Sequence, residues 1–149
     1  MADPNACELP DPARRGETEA AVQRILGYAR RIAVVGASPR PETDSHRIFV
    51  YLRSAGYEVF PVRPDGAPVA GLPSCKSLKE IPGPVDVVDI FRRPEQVGPH
   101  VDEAIACKAR SVWLQLGIVN EEAASKARTA GLDVVMDRCI LVEDRRLER

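Results

Sequence analysis

Five arginines stand at or just past the ends of apolar runs: Arg40 beyond residues 32–35, Arg63 beyond 57–60, Arg92 and Arg93 at the close of 85–91, and Arg138 beyond 132–136. A guanidinium stays charged at every physiological pH and offers a planar fork of donors, the geometry that grips phosphates and carboxylates. The chain as a whole is balanced, with 21 Lys and Arg against 22 Asp and Glu and a formal charge of −1. Arginines gathered on one edge of so neutral a protein read as a built anion pocket. The first place offers more than charge. In Gly36-Ala37-Ser38-Pro39-Arg40-Pro41, Gly36 lets backbone approach closely and Ser38 supplies a hydroxyl. A helix starting near Ser45 would add free N–H groups and the positive end of its dipole. Together these make a pyrophosphate cradle, although Ser38 and Pro41 stand where G-x-G-x-x-G has its second and third glycines. The plainer reading is a tight strand-to-helix turn that needs Gly36 for backbone geometry alone.

The other places narrow the ligand. An NAD-binding domain sets Asp or Glu roughly 20 residues past the glycines, where it holds the ribose hydroxyls. Here that region reads Phe60-Pro61-Val62-Arg63, with no acid in place. An arginine there pairs instead with a ribose phosphate, which both NADP and coenzyme A carry; the alternative is a solvated loop charge. Phe91, Arg92 and Arg93 could set an aromatic face and guanidinium planes against an adenine or phosphates. Equally, Phe91 could be core and the two arginines exposed. The loop Gln115-Leu116-Gly117-Ile118 could touch a ligand through its backbone or be a plain connection, and Trp113 reads as core. Asp137-Arg138-Cys139 invites a nucleophilic reading of Cys139 beside a cation. No histidine lies near it in sequence, and His46 and His100 both fall in helical stretches, so a structural or ligand-contacting role is favoured. A narrower reading sets Cys139 close to a ligand thiol, within reach of a mixed disulfide. No catalytic residue is assigned.

The elements that hold these residues follow from periodicity. Ala21, Val22, Ile25, Leu26 and Ala29 recur at helical spacing and predict a helix over 17–29. Ile32-Ala33-Val34-Val35 lacks alternation, as a strand covered on both faces should. The pattern then repeats. A helix capped by Asp44 or Ser45 carries Ile48, Phe49, Leu52 and Ala55 and stops at Gly56. A strand over 57–60 is closed by Pro61, and a Pro- and Gly-rich stretch over 64–73 leads to a helical turn near 77–81. Strands are expected over 85–91, 111–116 and 132–136. Between them lie a helix opened by Pro94 and interrupted at Gly98-Pro99, and an alanine-rich helix from Asn120 or Glu121 to Gly131. A short polar segment closes the chain. Strands alternating with helices predict an α/β, Rossmann-like open parallel sheet of about five strands with helices on both faces. In such a sheet ligands sit beyond the carboxyl ends of the strands, where the topology switches direction. Residues 1–16, with Pro4, Pro10 and Pro12, read as a flexible arm, and 17–149 as a single domain.

Bulk properties exclude other classes. The near-zero charge gives no pull toward nucleic acid, and no apolar run approaches the roughly 20 residues that span a bilayer. The opening Met-Ala-Asp-Pro-Asn is not a secretory signal. Cys7, Cys75, Cys107 and Cys139 are scattered without a zinc-binding spacing, which points to reduced thiols in a cytoplasmic protein.

Five motifs in order carry a family likeness: Val34-Val35-Gly36-Ala37-Ser38-Pro39-Arg40-Pro41, Val59-Phe60-Pro61-Val62, Val85-Asp86-Val87-Val88-Asp89-Ile90-Phe91-Arg92-Arg93, Trp113-Leu114-Gln115-Leu116-Gly117 and Val135-Met136-Asp137-Arg138-Cys139. The chain resembles, over about 29–147, the small bacterial and archaeal CoA-binding proteins. These are the stand-alone version of the domain in the succinyl-CoA synthetase α subunit and in ADP-forming acyl-CoA synthetases. The resemblance implies that loop 36–40 receives the CoA phosphates, with Ser38 and Arg40 as donors. It sets Pro61, Val62 and Arg63 near the adenosine and its 3′-phosphate. It sets Phe91, Arg92, Arg93, Leu116, Gly117 and Ile118 along the nucleotide and pantetheine arm. The full synthetases also need a phosphorylated histidine on a further domain and a nucleotide-grasping partner. This chain has no histidine in a matching loop, so binding is implied and ligase activity is not.

The expected function is therefore a CoA-binding protein, with coenzyme A or an acyl-CoA as small-molecule ligand and no catalysis of its own. Two other readings stand beside it: an accessory or catalytic subunit of an acyl-CoA synthetase system, and an NADP-dependent oxidoreductase. No nucleic-acid or membrane partner is expected, and a protein partner or homo-oligomer is left open.

Overall fold

The computed structural model describes residues 12–147, and of residues 12–16 the backbone alone. The apolar runs form five strands, β1 (Arg31–Val35), β2 (Glu58–Val62), β3 (Val87–Ile90), β4 (Ser111–Leu114) and β5 (Asp133–Val135). The helices are α1 (Pro12–Tyr28), α2 (Asp44–Ser54), α3 (Val97–Ala106), α4 (Glu121–Thr129) and α5 (Ile140–Leu147), with single 3-10 turns at Leu78–Glu80 and Pro94–Gln96. All strand pairs are parallel, in the order β2-β1-β3-β4-β5.

Strict alternation along each strand divides the core in two. Ala33, Val35, Val88, Ile90, Val112 and Leu114 pack under α3 and α4 against Val97, Val101, Ala104, Ala124 and Ala127. Ile32, Val34, Val87, Trp113 and Val135 pack on the other face with Val22, Ile25 and Leu26 of α1, Phe49 and Leu52 of α2, and Ile140 of α5. Both faces being covered explains why the strands read as unbroken apolar runs. The order also fixes the switch point. From β1 the chain passes through α2 to β2 on one side, then crosses to β3 on the other, so the direction of winding switches between β1 and β3, the place where open parallel sheets take their ligands.

Several boundaries differ from expectation. Strand β2 begins at Glu58 and runs through Pro61 to Val62. Proline is tolerated there because β2 is an edge strand, where a missing N–H breaks no interior ladder. Strands β3 and β4 end at Ile90 and Leu114, so Phe91, Gln115 and Leu116 belong to the loops. Helix α3 is not interrupted at Gly98-Pro99, because both fall in its first turn, where an N–H has no intrahelical acceptor to lose. The polar closing segment is helix α5, anchored by buried Ile140. Helix α1 starts at Pro12, so the last part of the expected arm is helical, and its remainder lies outside the described residues.

Candidate functional site

Gly36 organises the switch point. Its φ of +84° lies in the left-handed region, and its N–H donates to the Val62 carbonyl at 3.1 Å. A Cβ at this position would come within 2.3 Å of the Phe91 carbonyl oxygen and 3.2 Å of Arg92 Cδ. The loops after β1 and β3 are thus in backbone contact at the switch point, and only glycine permits it.

The following residues are held by their own polar groups. The Ser38 N–H donates to Ser45 Oγ at 3.1 Å, Ser38 Oγ accepts from the Arg40 N–H at 3.1 Å, and His46 Nδ1 meets the Ser38 carbonyl at 2.9 Å. Ser38 therefore spends its acceptor capacity internally and keeps its hydroxyl proton for an outside group. Helix α2 begins at Asp44 with Thr43 in the capping position, yet no side chain caps it. Thr43 Oγ1 instead donates to the Arg40 carbonyl at 2.7 Å. Among the described residues, the first-turn N–H groups of α2 have no side-chain acceptor beside the loop, the arrangement that receives an anion.

The arginines are not equivalent. Arg63 Nε and Nη2 donate to the two oxygens of Asp65 at 2.9 and 2.8 Å, and Nη1 donates to the Ala37 carbonyl at 2.6 Å. This bidentate pair holds the exposed Asp65 carboxyl down at about 2, chiefly through the guanidinium bond. Arg63 thus ties the loop after β2 to the loop after β1, with its charge already matched. Arg138 is tied at 3.4 Å to buried Glu143. Arg40 is exposed and pairs loosely with Glu42 at 3.6 Å. The side chains of Arg92 and Arg93 have no hydrogen bond or ion pair among the described residues, and Arg92 Nε is buried without an acceptor.

The β4 and β5 ends are clasped together. Asp137 adopts φ +61°, unusual for a non-glycine residue, and its Oδ1 accepts from the Gly117 N–H at 2.7 Å. Gln115 is buried and accepts from the Ile140 N–H at 3.2 Å, while Trp113 Nε1 donates to the Arg138 carbonyl at 2.8 Å. Trp113 is core, as expected, and also holds the β5 loop in place. Leu116 at the tip of the clasp is 69% exposed, whereas Ile118 and Cys139 are partly buried against the two cores. Pro61 and Val62 are buried, and Phe91 is partly buried beside α2 and β1 residues.

Three groups escaped the sequence reading. His46 lies in the first turn of α2 yet reaches back to Ser38, which its distance of eight residues did not advertise. His100 on α3 is half-buried, and burial first, then the charge of Arg92, holds its imidazole below the usual range, with Glu103 opposing. Asp89 in β3 has 0% exposure, and among the described residues neither carboxyl oxygen has a partner; burial drives it well above the ordinary carboxyl range and favours its neutral form. A charge in a run of β-strand residues was the signal for it. Among the described residues no cluster of His, Cys, Asp or Glu could hold a metal ion, and no helix is long and apolar enough to cross a membrane. A separate groove of about 650 Å³ runs between α1, α4 and β5, and of the strand-end loops its lining includes Asp137 and Arg138.

Comparison with known proteins bears on the family and the fold. A family profile described as a CoA binding domain matches residues 30–145. An uncharacterised protein of Bacillus subtilis strain 168, YneT, is 42% identical over 125 residues, covering 84% of this chain and 93% of that protein. The α subunit of the ADP-forming acetate–CoA ligase II of Pyrococcus furiosus is 42% identical over 62 residues, which cover 41% of this chain and 14% of that subunit. Among solved structures, a hypothetical protein from Pyrococcus horikoshii OT3 superposes with a TM-score of 0.83 at 40% identity, covering 87% of this chain and 92% of that one.

Proposed function

The chain belongs to the CoA binding domain family, and we propose that it binds coenzyme A or an acyl-CoA in the crevice between the loops after β1 and β3, in the cytoplasm, without turning it over alone. The observation that carries the reading is the uncapped start of α2 beside the fixed Ser38 loop, at the one place where the sheet changes direction. An oriented set of backbone donors with a free serine hydroxyl suits a diphosphate. In this reading Gly36, Ala37, Ser38, Arg40 and the Ser45 end of α2 receive the diphosphate. Pro61 and Val62 border the adenosine, and Phe91, Arg92 and Arg93 flank the nucleotide. Leu116, Gly117 and Ile118, with Arg138 and Cys139, border the pantetheine arm. Arg63 has a changed part: because Asp65 and Ala37 occupy its donors, it shapes the adenosine side of the crevice.

Native mass spectrometry of the purified protein, with added CoA or NADPH and with and without reductant, tests this. A 1:1 CoA adduct supports it, and loss of an adduct on reduction would assign the thiol to a cysteine. Tight NADPH binding with no CoA adduct would overturn it. A second reading, a subunit of an acyl-CoA ligase, draws on the local match to the acetate–CoA ligase α subunit. Co-purification of a nucleotide-grasping chain, or acyl-CoA synthesis on mixing with one, would favour it.

A further inference from the structure

We propose that the edge of the sheet along β5 is a contact surface for a second copy of this chain, laid across a two-fold axis with α1 on α1 and α4 on α4. Strand β5 ends the sheet on one side, and the groove described above runs beside it between α1 and α4. The two edges of the sheet differ. At β2 the chain covers its own edge: the Cys75 N–H donates to the Pro61 carbonyl at 2.9 Å, and the Arg63 N–H to the Cys75 carbonyl at 2.8 Å. At β5 the Asp133 N–H donates inward to the Arg110 carbonyl at 3.1 Å. The next residue, Val134, therefore turns its N–H and C=O outward, into the groove that it lines. Among the described residues no backbone bond covers that side. An edge of this kind recruits other chains unless something is laid over it.

The charges beside the edge select the occupant. Helix α1 carries Glu17 and Arg24 on the groove, and α4 carries Glu121 and Arg128, each pair seven residues apart and exposed. Seven residues are two turns, about 10 Å along a helix, so each pair lies on one stripe. The stripes also point the same way. Arg24 reaches Asp133 at the start of β5 at 3.1 Å, and just beyond Arg128 the Leu132 N–H closes onto the Ala127 carbonyl at 3.0 Å. Glu121 follows Asn120, whose N–H meets Met136 Sδ past the other end of the strand at 3.3 Å. Glu19, next to the Glu17 end of α1, shares Arg146 with Glu143, the partner of Arg138. Both walls are thus acidic past the end of β5, where Asp137 adds to them, and basic at its start. Arg110, stacked 3.7 Å over the Tyr28 ring, adds a further cation there. The opposing charges, Arg138 and Asp133, are each already paired. Stacking by translation would set like on like. A two-fold axis through the middle of β5 sets Glu17 by the partner's Arg24 and Glu121 by the partner's Arg128, on both walls at once. The face is complementary to itself.

Sedimentation equilibrium of the full chain, from micromolar to millimolar, tests this. The mass should rise toward twice the 16.3 kDa of one chain, and added salt should weaken the association. Arg128→Glu and Glu121→Arg each set like charges on both α4 contacts, and each should weaken self-association by roughly tenfold. Mixing the two variants should restore it, because every reversed contact then meets its opposite; melting curves check that both fold. A chain that stays monomeric at every concentration leaves the face to a different partner and overturns the proposal. A dimer that neither variant weakens overturns it too, as do two weakened variants that fail to associate when mixed.

Discussion

The Cβ that any other residue would bring to position 36 falls 2.3 Å from the carbonyl oxygen of Phe91. That approach joins two loops far apart in sequence across the point where the sheet reverses direction. Phe91 is held from its own side too, since its N–H donates to the Val35 carbonyl at 2.8 Å.

Gly36→Ala should therefore destabilise the fold on two counts. The left-handed φ alone costs about 1–2 kcal/mol for a residue with a Cβ, and the clash with backbone adds to it because Phe91 cannot swing aside. Urea unfolding should show a loss of roughly 2 kcal/mol or more. A variant as stable as wild type would mean that the two loops are not in contact.

Asp89 makes stability fall as pH rises. Its register partners are Val34 and Trp113, and among the described residues no donor reaches it. Burial raises its folded-state value well above that of the unfolded chain, about 3.9. Below pH ~4 both states hold the proton and the penalty is absent. Above that, only the unfolded chain ionises freely, and stability drops by up to about 1.4 kcal/mol per pH unit until the folded value is reached. Asp89→Asn should gain on wild type steadily between pH 4 and 7 in thermal melts. A constant gap between the two curves would contradict a neutral, buried carboxyl.

Asp65 has the reverse sign. Held at about 2 by Arg63, its contribution is present above the unfolded value near 3.9 and is lost as pH falls through about 2. An NMR titration of its side-chain carboxyl should place it near 2, and Arg63→Gln should raise it toward the ordinary range, with the Ala67 N–H still holding it somewhat down. A normal value in the wild type would contradict the bidentate Arg63–Asp65 pair.

The Gly117–Asp137 clasp should respond to the acceptor and to the backbone separately. Asp137→Asn keeps a carbonyl acceptor and tolerates the left-handed conformation, so its cost should be small. Asp137→Ala loses both and should cost about 1–2 kcal/mol in urea unfolding. Equal losses for the two variants would mean that Asp137 acts through its charge.

Much of this was legible in the sequence, for physical reasons that also mark where legibility ends. Residues 32–35 could be read as a doubly covered strand because burial on both faces leaves only one kind of side chain, and Gly36 directly after it marked the turn. Pro61 misled because a proline ends an interior strand but not an edge strand, and edge position is a property of the sheet. Gly98-Pro99 misled because the start of α3 depended on a 3-10 turn at 94–96. Most opaque was which arginines are free. Arg63 and Arg92 look alike as residues, and the difference between them is set by one carbonyl 26 positions away and by a carboxylate two residues on. Asp65 could have been seen. The Ala37 carbonyl could not, because only the folded sheet brings the two loops together.

The central claim is most directly tested by following the backbone amides of the labelled protein by NMR as CoA is added. Saturable shifts should concentrate at Gly36, Ala37, Ser38, the first turn of α2 from Asp44 to His46, and Phe91 to Arg93. Shifts confined to the groove between α1, α4 and β5, or no shifts at millimolar CoA, would contradict a CoA site at the β1–β3 crevice.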